Sequence, residues 1–142
     1  MEKTFFKIID EKLNWEQAIT SSAQVLLENN YFNKNYVNEM IENINKFGSY
    51  IVIMPKIALP HASSSENVFK GGYSITLFKN GIDFNADSGL VFLLITLSST
   101  NNDDHLTRLK TISSKLLNKN LIDKLLNSKN SLEMQQIWNG EL

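Results

Sequence analysis

The chain has 142 residues, of which 42% are hydrophobic and 20% charged, with a net charge of −1; this is the size and balance of one domain spanning 1–142, without the basic field that direct nucleic-acid binding needs. No apolar run approaches the roughly 18–20 residues of a membrane span, the longest being Leu90–Leu97, and the N-terminus lacks a signal-peptide pattern, so a cytoplasmic protein is expected. The absence of cysteine excludes disulfides, thiolate metal sites and a cysteine nucleophile, leaving His, Ser, Thr, Lys or carboxylates for any covalent chemistry.

Thr4–Ile9, β-branched and aromatic, reads as an edge strand or an extended arm. Asn14 with Gln17 reads as a capping box, opening a helix whose stripe of Trp15, Ala18, Ile19, Val25 and Leu26 runs to about Glu28. Tyr36, Val37, Met40, Ile41 and Ile44 predict a second helix, closed where Gly48 stands in the C′ position. Tyr50–Met54 is a near-continuous apolar run too short for a helix, which predicts a strand buried on both faces. Pro55 and Pro60, the only two prolines, bracket Ile57–Leu59 and restrict Met54 and Leu59 to extended geometry. His61 follows the second proline, where the stiff segment gives way to the small polar loop Ala62-Ser63-Ser64-Ser65. Functional groups concentrate at such junctions, although on these grounds alone a plain surface-loop histidine fits equally well.

Glu66–Gly71 suits either a helical turn or a loop. Tyr73–Lys79 alternates, Asn80-Gly81 is a two-residue hairpin signal, and Ile82-Asp83-Phe84 would begin the return strand. Leu90–Leu97 predicts a fully buried central strand, ending in the polar cluster Ser98–Asp103. From Asp104 the pattern turns helical, with Leu106, Leu109, Ile112, Leu116 and Leu117 on one face. Leu121, Ile122, Leu125 and Leu126 suggest a short helix, and Asn130 with Glu133 a last capped one carrying Met134, Ile137 and Trp138 up to Gly140. The class expected is α/β, a mixed β-sheet sandwiched by helices. The bias toward Asn, Lys and Ile carries no functional weight at this level.

His105, the second of two histidines, falls in the first turn of the helix after the buried strand. A helix N-terminus disfavours imidazolium and favours anions; taken alone, His105 fits better as a capping or partly exposed histidine beside Asp103 and Asp104. Arg108 is expected in a solvent ion pair with Asp104 at i,i+4 spacing.

Ile57-Ala58-Leu59-Pro60-His61-Ala62, preceded by Gly48–Pro55, resembles the active-site signature of type-2 enzyme IIA, the mannitol/fructose family of the bacterial sugar phosphotransferase system; Glu42–Pro55 looks most like its ascorbate-type branch. The resemblance implies the same α/β architecture and a catalytic His61 that accepts phosphate on Nε2 from the phosphocarrier HPr. His61 would then pass it to a IIB component, and through that to a membrane IIC. His105-Leu106 matches the family's histidine close to the phosphorylated one, which implies a phosphate-stabilising role for His105. Other donors expected at the site are backbone N–H groups near Ala62, Ser63 and Ser64, with the hydroxyls of Ser63 and Ser64. Transfer between two histidines, or from histidine to cysteine, needs neither metal nor cofactor, so none is expected. The partner surface is expected to be more apolar than charged, with Ile57, Val68 and Phe69 nearest in sequence.

Two positions depart from the family pattern. Pro55-Lys56 stands where a small residue and Gly are usual, and Lys56 should exclude an easy positive φ. Ser63 stands where ascorbate-type members commonly place Arg, which removes a cation that could hold phosphate. Two other readings compete: a regulatory module of the same fold whose His61 phosphorylation a partner senses, and a metal-dependent hydrolase built from His61, His105 and Asp103 or Asp104. No His-x-His or His-Glu-x-x-His spacing supports the second.

Overall fold

The computed structural model describes residues 2–142. The elements run β1 (Thr4–Ile9), α1 (Trp15–Glu28), α2 (Lys34–Phe47), β2 (Val52–Met54), β3 (Ile57–Ala58), β4 (Gly72–Ile82), β5 (Val91–Ser98), α3 (Asn102–Leu116), α4 (Lys119–Leu126) and α5 (Ser131–Trp138). The strands form one sheet in the order β1-β4-β5-β3-β2. β1 lies parallel to β4 and β3 parallel to β5, whereas β4 with β5 and β2 with β3 are antiparallel. This is the mixed sheet expected, with β1 at one edge and β5 in the middle.

Alternation along β5 explains why its sequence is apolar from Val91 through Ile95; Leu90, expected in the same buried run, lies outside the strand and is exposed. Leu93, Ile95 and Leu97, with Tyr73, Ile75 and Leu77 of β4, pack against Ile112, Leu125, Met134 and Trp138 of α3–α5. Leu94 and Phe78 face the other way, into Ile19, Leu26, Tyr36 and Met40 of α1 and α2. Successive strand residues point to opposite faces, so a strand covered on both sides carries an unbroken apolar run. A polar seam under α1 is satisfied internally: the Ser22 and Thr96 hydroxyls lie 2.7 Å apart and Ser74 Oγ donates to Ser22 O at 2.8 Å.

Every one of the five helices described starts on an asparagine, Asn14, Asn33, Asn101, Asn118 and Asn130, each side chain accepting a first-turn backbone N–H. The asparagine bias that looked idle in the sequence thus sets the helix starts. The capping box at Asn14 and Gln17 has both of its hydrogen bonds, at 2.8 and 3.0 Å.

The structure corrects four local expectations. Tyr50–Met54 is not buried on both faces: only Val52–Met54 is strand, it is the outer strand β2, and Tyr50 and Ile53 are exposed. Asn80-Gly81 is not a hairpin turn. β4 continues through it, and four residues between Leu77 and Ile82 oppose one between Leu93 and Val91, so the pair forms a bulge with Gly81 at φ +74°. Left-handed glycine serves bulges as well as turns, and the chain reverses later, around Ala86–Gly89. On α3 the inward positions are Arg108, Ile112 and Leu116, while Leu106 and Leu117 are exposed. Finally, Lys56 does take a positive φ, +76°. Proline followed by a left-handed residue is the pattern of a type II turn, and it joins β2 to β3 with lysine in glycine's conformation, at a cost of roughly 1–2 kcal/mol.

Candidate functional site

Because β3 and β5 are parallel neighbours, their carboxyl ends open on the same edge of the sheet. Pro60-His61 leaves one and Ser99–His105 the other. The Leu97 N–H donates to Pro60 O at 3.1 Å and the Leu59 N–H to Ile51 O at 2.8 Å, so the segment before His61 is braced from both sides beyond its short strand. Crevices at strand carboxyl ends are where open α/β sheets bind ligands. Here the crevice is a cavity of about 300 Å³, lined by His61, Ala62, Ser63, Ser64, Ser99, Asn102 and His105 on the loop side, and by Asn43, Phe47 and Tyr50 from the α2 end.

His61 is half-buried, and its Nδ1 sits 2.7 Å from Leu59 O. A carbonyl can only accept, so Nδ1 carries the hydrogen, and in the neutral ring the lone pair is on Nε2. The following residue is tied inward: Ala62 N–H donates to Tyr36 Oη at 3.0 Å, and Tyr36 Oη donates to Leu97 O at 2.8 Å, with Ala62 O at 3.2 Å. Burial pushes the Tyr36 hydroxyl up to about 12, against the opposing Ala62 hydrogen bond, so it stays a neutral O–H that pins the His61 loop to β5. Tyr50 stands edge-on to the imidazole, ring centres 6.3 Å apart.

His105 faces His61, ring centres 5.2 Å apart and planes inclined by 37°. Its Nδ1 lies 3.3 Å from Ser99 Oγ. Burial lowers its affinity for a proton below the ordinary 6.5, the nearby His61 and Arg108 add to this, and Asp104 opposes it. The imidazole is therefore neutral at pH 7. At the start of α3, Asp104 N–H donates to Asn101 Oδ1 and His105 N–H to Asn101 O. The amides of Asn102 and Asp103 have no partner among the described residues, and they sit at the positive end of the helix.

The expected ion pair of Arg108 with Asp104 is present, at 3.0 Å, but not in solvent. Arg108 is 5% exposed and also binds Glu2 at 2.6 Å. The guanidinium beside Asp104 holds its carboxyl below the usual range, and the Thr100 N–H donates to the same carboxylate at 3.0 Å. That engagement takes Asp104 out of the metal-hydrolase reading. Ser63 and Ser64 line the cavity as expected, with amides free of hydrogen bonds among the described residues, whereas the Ala62 amide is spent on Tyr36. Ile57 and Val68, expected near the partner surface, are buried; Phe69 is exposed, and the exposed aromatics beside His61 are Phe47 and Tyr50. Sequence reasoning missed Tyr36 and Ser99. A tyrosine on a core stripe must find a partner for its hydroxyl, and that was the available signal for Tyr36.

A family model described as "Phosphoenolpyruvate-dependent sugar phosphotransferase system, EIIA 2" matches residues 1–140. The mannitol-specific cryptic phosphotransferase enzyme IIA component of Escherichia coli K12 is 28% identical over 130 residues, 92% of this chain and 88% of that one. The ascorbate-specific PTS system EIIA component of Salmonella choleraesuis is 28% identical over 105 residues, 73% and 68% of the two chains. Among solved structures, the solution structure of the mannitol-specific cryptic enzyme IIA from Escherichia coli superposes with a TM-score of 0.88 at 28% identity, covering 94% of this chain and 91% of that one. The complex of enzyme IIAMTL and phosphorylated enzyme IIBMTL from the same species shares the fold, with a TM-score of 0.79 at 20% identity over 94% of each chain. With two histidines facing each other at the carboxyl ends of parallel strands, and a family match over nearly its whole length, the chain belongs to the type-2 EIIA family, the phosphotransfer components of the phosphoenolpyruvate-dependent sugar phosphotransferase system.

Proposed function

We propose that this protein is a cytoplasmic relay that takes a phosphoryl group from HPr onto His61 Nε2 and delivers it to a IIB component, and through that to a membrane IIC. The observation that carries the reading is the pairing of His61, its Nδ1 committed to Leu59 O, with a neutral His105 beside it in the cavity. The N–P bond of the donor breaks as His61 Nε2 bonds to phosphorus, and the released electron pair stays on the donor's nitrogen. The Nδ1–H remains on Leu59 O, which accommodates the partial positive charge the phosphorylated ring acquires. Charge in the transition state spreads over three equatorial oxygens, so the protein's task is to position donors. His105, the Ser63 and Ser64 amides and hydroxyls, and the α3 N-terminus supply them.

No described helix is long and apolar enough to cross a membrane. Phe47 and Tyr50, 63% and 44% exposed, give the rim of the cavity an apolar docking surface. That suits a carrier that must receive two different partners, and the fold is shared with a IIA captured on phosphorylated IIB. Incubation with enzyme I, HPr and phosphoenolpyruvate, followed by intact mass, should show one added phosphoryl group. An unchanged mass under conditions that charge HPr would reject the relay.

A further inference from the structure

Arg108 is the chain's only arginine and is nearly sealed from solvent, yet it lines no part of the cavity that holds the two histidines. Its guanidinium is fully engaged. Nη2 donates to Glu2 Oε1 and Asp104 Oδ1 at 2.6 and 3.0 Å, and Nε to Glu2 Oε2 at 3.2 Å. Nη1 donates to Ser98 O and Ser99 Oγ, both at 2.9 Å, and to Asp104 Oδ2 at 3.0 Å. Burial works against its charge, but the bonds to Glu2 and Asp104 outweigh this and hold the cation.

The bond to Ser99 has a directional consequence. A guanidinium has no acceptor, so at Ser99 Oγ it occupies a lone pair and turns the hydroxyl hydrogen elsewhere. Ser99 is itself buried, and a buried hydroxyl hydrogen without an acceptor is costly. Among the described residues the remaining acceptor within reach is His105 Nδ1, at 3.3 Å. If Nδ1 accepts, the ring hydrogen of neutral His105 sits on Nε2.

We propose that Arg108 is a positioning residue: acting through Ser99, it sets the tautomer and orientation of His105, so that Nε2–H is the donor offered to the phosphoryl group on His61. This rests on the phosphorelay reading, but only for its consequence; the tautomer is a property of the resting protein. The result is a matched pair, a lone pair on His61 Nε2 set by the Leu59 carbonyl and a hydrogen on His105 Nε2 set by the Arg108–Ser99 chain. Because Glu2 and Asp104 hold the guanidinium in place, the N-terminal arm takes part in the orientation without approaching the phosphate.

The test is long-range proton–nitrogen NMR of the His105 ring at pH 8 in the intact protein, with transfer rates from phospho-HPr measured beside it. Wild type should show the Nε2–H tautomer alone. Ser99→Ala removes the link while leaving the guanidinium its other acceptors. It should give a mixture of tautomers and about tenfold slower transfer, the loss of one hydrogen bond. Ser99→Thr, which restores the hydroxyl, should return both readouts to wild type. Arg108→Met should mix the tautomers as well; if it unfolds, the two Ser99 variants carry the test. A wild-type Nδ1–H tautomer, or a Ser99→Ala protein with unchanged tautomer and rate, overturns the proposal. Failure of His61 to take phosphate at all would reject the relay reading and leave the tautomer result standing.

Discussion

His61 and His105 line one cavity side by side, ring centres 5.2 Å apart, and they are held there by different means. His61 is oriented chiefly by main chain, its Nδ1 on Leu59 O two residues back and Pro60 O tied to β5, with one side-chain prop, the Tyr36 hydroxyl on the Ala62 N–H. His105 is oriented by side chains, Ser99 and then Arg108, whose own anchors include Glu2 at the other end of the chain. Backbone support is set by the local segment and is hard to remove with one substitution. Side-chain support assembles only in the folded protein and can be removed one group at a time, which makes the contrast testable.

The largest effect should come from the group proposed to form the bond. His61→Ala should abolish phosphate acceptance and leave the thermal midpoint almost unchanged, since the half-buried imidazole contributes little to either core; acid-labile phosphate still appearing on that variant would put the acceptor elsewhere. His105→Ala should slow transfer by about a hundredfold to a thousandfold, the effect of removing one preorganised donor worth roughly 3–4 kcal/mol. His105→Gln keeps an N–H and should recover part of that. Rapid-quench kinetics with phospho-HPr would read both, and wild-type rates in the two variants would reduce His105 to a helix-start residue.

The one side-chain prop on the His61 segment is probed by Tyr36→Phe. It strips the partner from the buried Ala62 N–H and should cost about 1–3 kcal/mol in urea unfolding, far more than a surface tyrosine would; a loss indistinguishable from zero would mean the loop is held by something else. The smallest effect is in pH. The folded protein holds His105 below its ordinary 6.5, so as pH falls past that value the unfolded chain takes up the proton first. Stability that is present above pH 6.5 should therefore decline as pH drops toward the folded-state value. His105→Gln should flatten that part of the profile, and an unaltered slope would show the titration to be unlinked to His105.

The same division between local and assembled features decides what the sequence disclosed. Capping residues, the central strand β5 (apart from Leu90, which is exposed) and the Pro-His junction are each written within a few residues, and the structure has them where expected. The Asn80-Gly81 signal misled because a left-handed glycine satisfies a bulge as well as a turn. The apolar run of β2 suits a central strand as well as an edge one, because strand order, which makes it an edge, is not a local property. The leucine spacing of α3 points Leu106, Leu109, Ile112, Leu116 and Leu117 to one inward face. In the fold a buried Arg108 takes the inward position and Leu106 is displaced to the surface, because Glu2 and Asp104 neutralise the guanidinium. Glu2 lies 106 residues from Arg108 in sequence, and nothing local announces it.

The central claim, that His61 takes the phosphoryl group on Nε2 while its Nδ1 stays bound to Leu59 O, is tested most directly on phosphorylated, nitrogen-15-labelled protein. Long-range proton–nitrogen spectra of both histidine rings, with phosphorus-31 detection, should show phosphorus on His61 Nε2, the hydrogen retained on His61 Nδ1, and an unmodified His105. Phosphorus on His61 Nδ1, or on His105, would contradict it.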